Sequence, residues 1–357
     1  MPSRRRSPPR VRGAVSNRSG RFEPLQYAPV SEGREDSEPA PLKTTITPER
    51  TRTVITRNDS PDVPFEQSVN PYRGCEHGCV YCFARSSHAY LGLSPGLDFE
   101  TRLFSKPDAP HQLRRELGRR GYRPRVLALG ANTDPYQPIE RRLGLTRRVL
   151  EVLADHEHPV SIATKSDAVL RDLDLLASMA ERRLAGVLVS LTTVDPDLAR
   201  RMEPRAPTPS RRLVAMQELS RAGVPVTVLA SPMIPGLNDA EVEALLETSA
   251  RAGAHSARYI LVRLPREVKD LFAEWLEKEY PDRAARVLSL VRQTRGGMLY
   301  DSRYGVRGRG EGPYADMLAK RFAVARSRLG LSPEPPPLDT TRFRVPSREE
   351  SQGSLFP

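Results

Sequence analysis

Asn70-Pro-Tyr-Arg-Gly-Cys75-Glu-His-Gly-Cys79-Val-Tyr-Cys82-Phe-Ala-Arg85 holds all three cysteines of the chain within eight residues. An odd number so closely spaced excludes a disulfide scaffold and points to metal in a reducing compartment. Three thiolates at C-x3-C-x2-C suit three irons of a [4Fe–4S] cluster, which usually takes four cysteines. With no fourth cysteine, one iron is left for an exogenous ligand. Gly74 and Gly78 permit the tight backbone that wraps such a group. Two other readings stand beside this one. His77 or His88 could join the three cysteines in a four-ligand zinc site, or the thiols could be inert core residues.

Outward from this loop the chain alternates between strand-like and helix-like stretches. Apolar runs occur at 126–129, 160–163, 186–191, 224–230 and 258–264, and Ser68–Tyr72 adds a strand just before the cysteines. Helical periodicity falls at 111–119, 145–156, 166–183, 210–222, 239–252 and 267–279, with a final helix at 315–329. Asn238 followed by Glu241 resembles a capping box, and Ser166 stands at a helix start. This alternation predicts an α/β fold of parallel strands with right-handed crossovers. Six such units make an open sheet or most of a (β/α) barrel. Ligands then sit at the C-terminal strand ends, where the cysteines fall.

Composition bounds the rest. The 357 residues carry a net charge of +12, with 38% hydrophobic and 28% charged residues. Seven arginines and no acid lie in residues 1–22, so that part reads as a disordered basic lead. Thr44–Thr47 and Thr53–Thr56 are β-prone and predict short strands laid on the main body. The division expected is a lead over 1–60, a core with a helical extension over 61–330, and a Pro-rich tail over 331–357. No apolar run approaches the roughly 18 residues of a membrane helix, and the N-terminus has no signal-peptide h-region. A cytoplasmic protein is expected. Excess basic charge suits a polyanion such as nucleic acid, although 50 of the 56 basic residues are arginine, as a GC-rich coding bias would also give.

The cysteine loop, with Tyr81 as the aromatic residue of C-x3-C-x-Φ-C, resembles the signature of the radical S-adenosylmethionine (SAM) superfamily. The words NPYRGCEHGCVYCFAR, TDPYQPIE and SPMIPGLND resemble the branch containing spore photoproduct lyase, and the RGAVSNRSGRFE-like lead resembles a bacterial subgroup of it. The resemblance spans roughly residues 60–330 and implies a partial (β/α)6 TIM-like barrel. It also implies one [4Fe–4S] cluster on Cys75, Cys79 and Cys82, with SAM on the open iron. An external one-electron reductant of flavodoxin or ferredoxin type would drive cleavage of SAM to a 5′-deoxyadenosyl radical, which takes hydrogen from a substrate.

Further residues follow from the same resemblance and from their places after strands. Gly130, Asn132, Thr133 and Asp134 fall near the SAM amino group, and Lys165 suits a carboxylate. Ser190 or Thr192 suits the ribose or methionyl part, with Glu203 nearby, and Ile234 suits packing on adenine beside Leu264-Pro265. The Gly/Arg-rich stretch 295–314, with interleaved tyrosines, suits nucleic-acid contact or a lid. One departure limits the analogy. Photoproduct lyases of the best-known type return hydrogen through a cysteine thiol, and here all three cysteines are spent on the cluster. The competing class is a non-catalytic protein whose three cysteines hold metal, zinc or Fe–S, and which binds nucleic acid.

Overall fold

The computed structural model describes residues 12–23 and 43–346. The rest of the arginine-rich lead and the final residues of the Pro-rich tail lie outside the described residues. Among the described residues there are ten strands, and all but β5 follow the runs expected from the sequence: β1 Thr45–Pro48, β2 Ile55–Arg57, β3 Gln67–Val69, β4 Tyr72–Arg73, β5 Arg102–Ser105, β6 Leu127–Leu129, β7 Val160–Thr164, β8 Ala185–Ser190, β9 Val226–Met233 and β10 Ser256–Leu261.

Seven strands form one sheet in the order β10-β9-β8-β7-β6-β3-β2. The six strands from β3 to β10 in that sheet pair in parallel, and β2 lies antiparallel on the outer edge of β3. Helices 109–117, 145–155, 173–181, 209–221 and 242–251 return the chain between strands. Parallel strands sandwiched this way are buried on both faces, and β6 is buried at every residue. Ile162, Val187, Val189, Val226 and Val228 form the spine of the main core. Each such side chain removed from water contributes roughly 1.5–3 kcal/mol.

The edge strands β2 and β10 do not hydrogen-bond to each other, so the barrel is incomplete. Loops bridge the gap instead. Asp62, beyond β2, accepts from Gly305 N at 2.7 Å and pairs with Arg307, which also donates to Ser60. The short helix 306–309 in turn packs on β10.

A second sheet, β1-β5-β4, flanks the cysteine loop. Thus β1 and β2, both expected on the main body, lie in different sheets. A separate apolar cluster supports the loop from below: Val80 and Tyr81 pack with Met202, Phe272, Trp275 and Val287. Helix 281–293, which supplies Val287, has no counterpart in the sequence reading.

Both terminal segments pack more closely than their composition suggests. Gly13 and Ala14 donate to the buried Glu100 carboxylate at 2.9 and 2.8 Å, and Ser16 bonds Glu274 at 2.7 Å. At the other end, Ser332 bridges Ser256 of β10, Asp339 N reaches Arg183 O at 2.8 Å, and Phe343 packs on Tyr122 and His158. Residues 331–346 therefore run along the N-terminal ends of the strands. Proline content signalled extended backbone, but the anchoring aromatic and polar contacts are tertiary.

Ser166 caps its helix by accepting from Ala168 N, as expected. The Asn238–Glu241 capping box does not form. Asn238 instead accepts from Ile234 N at 2.7 Å and donates to Thr192 O and Pro232 O, while Glu241 binds Thr193 and Val194 N. Buried backbone groups of the β8 and β9 loops needed those partners more than the helix start did.

Candidate functional site

A cavity opens at the C-terminal ends of the parallel strands, with about 930 Å³ between its walls, solvent-open space included. All three cysteines line it, together with Tyr81, Phe83, the 130–134 loop, Lys165 and Ser190. Cys75 and Cys79 are buried and Cys82 is partly exposed, all as free thiols. Among the described residues, no three His, Cys, Asp or Glu side chains converge on one metal-ion position. Three thiols lining one cavity are the side chains here that could hold a metal group. Burial pushes the Cys79 thiol up to about 12 and Cys75 well above its ordinary value. Thiolates here therefore need a cationic group to form.

The loop is held from inside by Arg85, which is fully buried. Its guanidinium donates to Gly78 O at 3.0 Å, Cys79 O at 2.8 Å, and Pro95 O and Gly96 O at 3.1 and 2.9 Å. Glu100 neutralises it at 2.5 Å. The same carboxylate takes the Gly13 and Ala14 N–H groups, so the N-terminal segment is tied to the cysteine loop. A Cβ on Gly13 would lie 1.7 Å from Gly78 O, and only glycine allows that approach.

The loop after β6 turns at Gly130, where φ is +87° and a Cβ would lie 2.1 Å from Ala163 O. Asp134 then reaches across to β7. It accepts from Thr164 Oγ1 and Lys165 N, both at 2.7 Å, and its Oδ2 lies 3.3 Å from His77 Nδ1. Burial opposes the Asp134 charge, but His77 and these hydrogen bonds outweigh it and hold the carboxyl down to about 2. Asn132 N bonds Asn70 Oδ1 at 3.0 Å, and Thr133 Oγ1 bonds Tyr72 O at 3.2 Å. These contacts tie the loop to the segment that carries the cysteines.

Lys165 Nζ donates to Ser190 Oγ at 3.1 Å and sits 5.8 Å from the Tyr81 ring centroid. Burial disfavours its ammonium, but the Cys79 sulfur and Glu203 outweigh this and its pKa lies above the ordinary lysine value. Tyr81 Oη bonds Glu203, which also takes Thr192 Oγ1 at 2.6 Å and pairs with buried Arg212. Against its burial, Arg212 and Lys165 hold Glu203 down to about 2.

Thus Cys75, Cys79, Cys82, Tyr81, Gly130, Asn132, Thr133, Asp134, Lys165 and Ser190 all line one cavity. Ile234 does not. It is fully buried beneath the site with Leu237, Val287 and Val291, while Leu229, Ser231 and Pro232 present β9 to the cavity. Alternation along the strand sends residues two apart to the same side, so Leu229 and Ser231 share the cavity face. Leu264 is likewise buried in the lower cluster. His88 bonds Arg102 O and packs edge-on against Phe99, outside the cavity lining. Arg200 pairs with Asp197 and Arg201 with Glu279, outside the cavity lining. Sequence reading missed Arg85, Glu100, Arg212 and Arg263. Only their position in the fold makes them functional candidates.

The Radical SAM superfamily profile matches residues 69–248. An uncharacterised Mycobacterium tuberculosis protein is 37% identical over 298 residues, covering 82% of this chain and 83% of that one. An uncharacterised Methanocaldococcus jannaschii protein is 28% identical over 216 residues, covering 60% and 76%. Among solved structures, spore photoproduct lyase complexed with dinucleoside spore photoproduct matches with a TM-score of 0.58 at 17% identity, over 80% of each chain. A mutant of that lyase with bound AdoMet and the same dinucleoside matches at 0.56, also at 17% identity and over 80% of each chain. At such identities the likeness is one of fold.

Proposed function

Because the chain belongs to the radical SAM superfamily, we propose that it is an enzyme holding one [4Fe–4S] cluster on Cys75, Cys79 and Cys82, with SAM bound in the adjoining cavity. When bound and reduced, these groups supply one-electron cleavage of SAM and a carbon radical that takes hydrogen from a substrate. Membership implies SAM, an iron–sulfur cluster and an external electron donor. The observation that carries the residue assignment is the set of three free thiols on one cavity at the strand C-termini.

The chain's own residues then divide the work. Arg85 and Glu100 fix the carbonyls of Gly78 and Cys79 and so the direction of the loop. Gly130 lets the β6 loop approach β7, and Asp134, held ionised, presents negative charge toward an ammonium. Lys165 holds positive charge between Ser190 and Tyr81 for a carboxylate. Tyr81, Glu203 and Arg212 form the fixed polar floor under these groups. Addition of SAM to the reduced protein should change its electron paramagnetic resonance spectrum, since SAM would ligate the open iron. An unchanged spectrum would remove SAM from the cluster.

Nucleic acid is the substrate class we propose. The fold neighbours include a lyase bound to a dinucleoside photoproduct, and Arg263 over the exposed Phe83 ring lines this cavity. Affinity for DNA should fall steeply as salt rises, and a salt-independent affinity would count against it.

A further inference from the structure

Arg263 follows β10 and lines the cavity. Its guanidinium lies 5.0 Å from the centroid of the Phe83 ring, and Phe83 follows directly after Cys82. Among the described residues it makes no hydrogen bond and no ion pair, and its Nε is buried without a partner. Most other arginines near the mouth are used. Arg307 pairs with Asp62, and Arg295 donates to the carbonyls of Val262, Val306 and Arg307. Burial is the main cause of the lowered pKa of Arg295, and repulsion from Arg263 adds to it. Asp62 lies within electrostatic reach of Arg263 but pairs with Arg307, so Arg263, held on an aromatic face beside another cation and with no carboxylate at ion-pair distance, is short of an anion.

The other cavity cation, Lys165, stands at the end of β7. In the sheet order β10 is three strands from β7, roughly 14 Å at about 4.8 Å per strand. The cavity therefore carries two separated cationic points. Lys165 sits on the Cys79 side, and Arg263 sits on the Phe83 side, next to the gap between the edge strands.

We propose that Arg263 and Phe83 form a substrate subsite that takes an anionic oxygen group, phosphate or carboxylate, attached to a planar ring. Arg263 offers its unpaired N–H groups to the anion, and Phe83 offers a partly exposed ring face to the plane. This deepens the proposed function by assigning a specificity-determining residue at the same cavity, and it rests on that reading for the identity of the cavity.

The test is calorimetric titration of the cluster-loaded, SAM-saturated protein with phenyl phosphate as the probe. Phenol serves as the uncharged control and inorganic phosphate as the ringless one. Arg263→Gln should weaken phenyl phosphate by tenfold or more, while SAM affinity stays within twofold and the melting midpoint is retained. Arg263→Lys should recover part of the loss, and Phe83→Leu should reduce the advantage of phenyl phosphate over inorganic phosphate. Unchanged phenyl phosphate binding in Arg263→Gln overturns the subsite. A tenfold loss of SAM affinity in that variant also overturns it, since the anion would then be the SAM carboxylate. Failure to load a cluster or SAM at all would refute the proposed function instead, and phenyl phosphate titration of the metal-free protein would still report on Arg263.

Discussion

Glu100→Gln is the sharpest perturbation of the loop that carries the cysteines. The change keeps size and shape and removes one charge. In the native protein one Glu100 oxygen accepts from Ala14 N at 2.8 Å and Arg85 Nη2 at 2.5 Å, and the other accepts from Gly13 N at 2.9 Å. A glutamine can offer only one acceptor oxygen. Its amide N–H2 must face either Gly13 N–H or the Ala14 and Arg85 donors, so at least one buried donor is stranded at about 1–3 kcal/mol. Arg85, with no exposed surface, also loses its counter-charge. Breaking a buried pair from one side costs about 3–5 kcal/mol, which includes the stranded donor. That is a large share of the roughly 5–15 kcal/mol of a typical fold. Because Arg85 holds the Gly78 and Cys79 carbonyls, the damage should centre on the loop. Anaerobic urea unfolding of the metal-free protein should show a loss of about 3–5 kcal/mol, and iron per chain after reconstitution should fall below half. Arg18, half-exposed and 3.8 Å from Asp270, provides the control, and Arg18→Ala should cost under about 0.5 kcal/mol. If Glu100→Gln unfolds within about 1 kcal/mol of wild type and loads full iron, the ion pair does not hold the loop.

Gly130→Ala should destabilise by about 3 kcal/mol or more in the same assay, since φ is +87° and the new Cβ meets a backbone carbonyl. Gly144→Ala, at φ +59° with open space around it, should cost only about 1–2 kcal/mol. His158 is buried against Tyr122 and Phe343, and burial lowers its pKa from 6.5 to about 4. The unfolded chain therefore takes the proton first, so stability is full above about pH 6.5 and falls by up to about 3 kcal/mol as pH drops toward 4. His158→Gln should flatten that slope, and an unaltered slope would assign it to other groups. Lys165→Ala should weaken SAM binding by about tenfold, read by equilibrium dialysis, with iron content unchanged.

Much of the architecture was legible because parallel strands buried on both faces leave short aliphatic runs, and each of the expected strands has a counterpart. The cysteine loop was legible because its spacing lies within one turn-rich segment. What escaped notice depends on tertiary neighbours. Glu100 and Arg85 are fifteen residues apart, and their third partner comes from residues 13 and 14, in a stretch whose composition reads as disordered. Ile234 lies beneath the cavity rather than on its wall because of where β9 ends, which the sequence does not show. The strand runs to Met233, and the chain then turns into the lower core. Arg263 gave no signal in a chain of fifty arginines. Its place in the cavity wall against Phe83, with no hydrogen bond or ion pair among the described residues, sets it apart.

Anaerobic reconstitution followed by reduction in the presence of SAM tests the central claim most directly. The account predicts a brown protein with about four irons per chain that forms 5′-deoxyadenosine, and a Cys79→Ala variant that does neither. A colourless protein carrying one zinc per chain and forming no 5′-deoxyadenosine would contradict it.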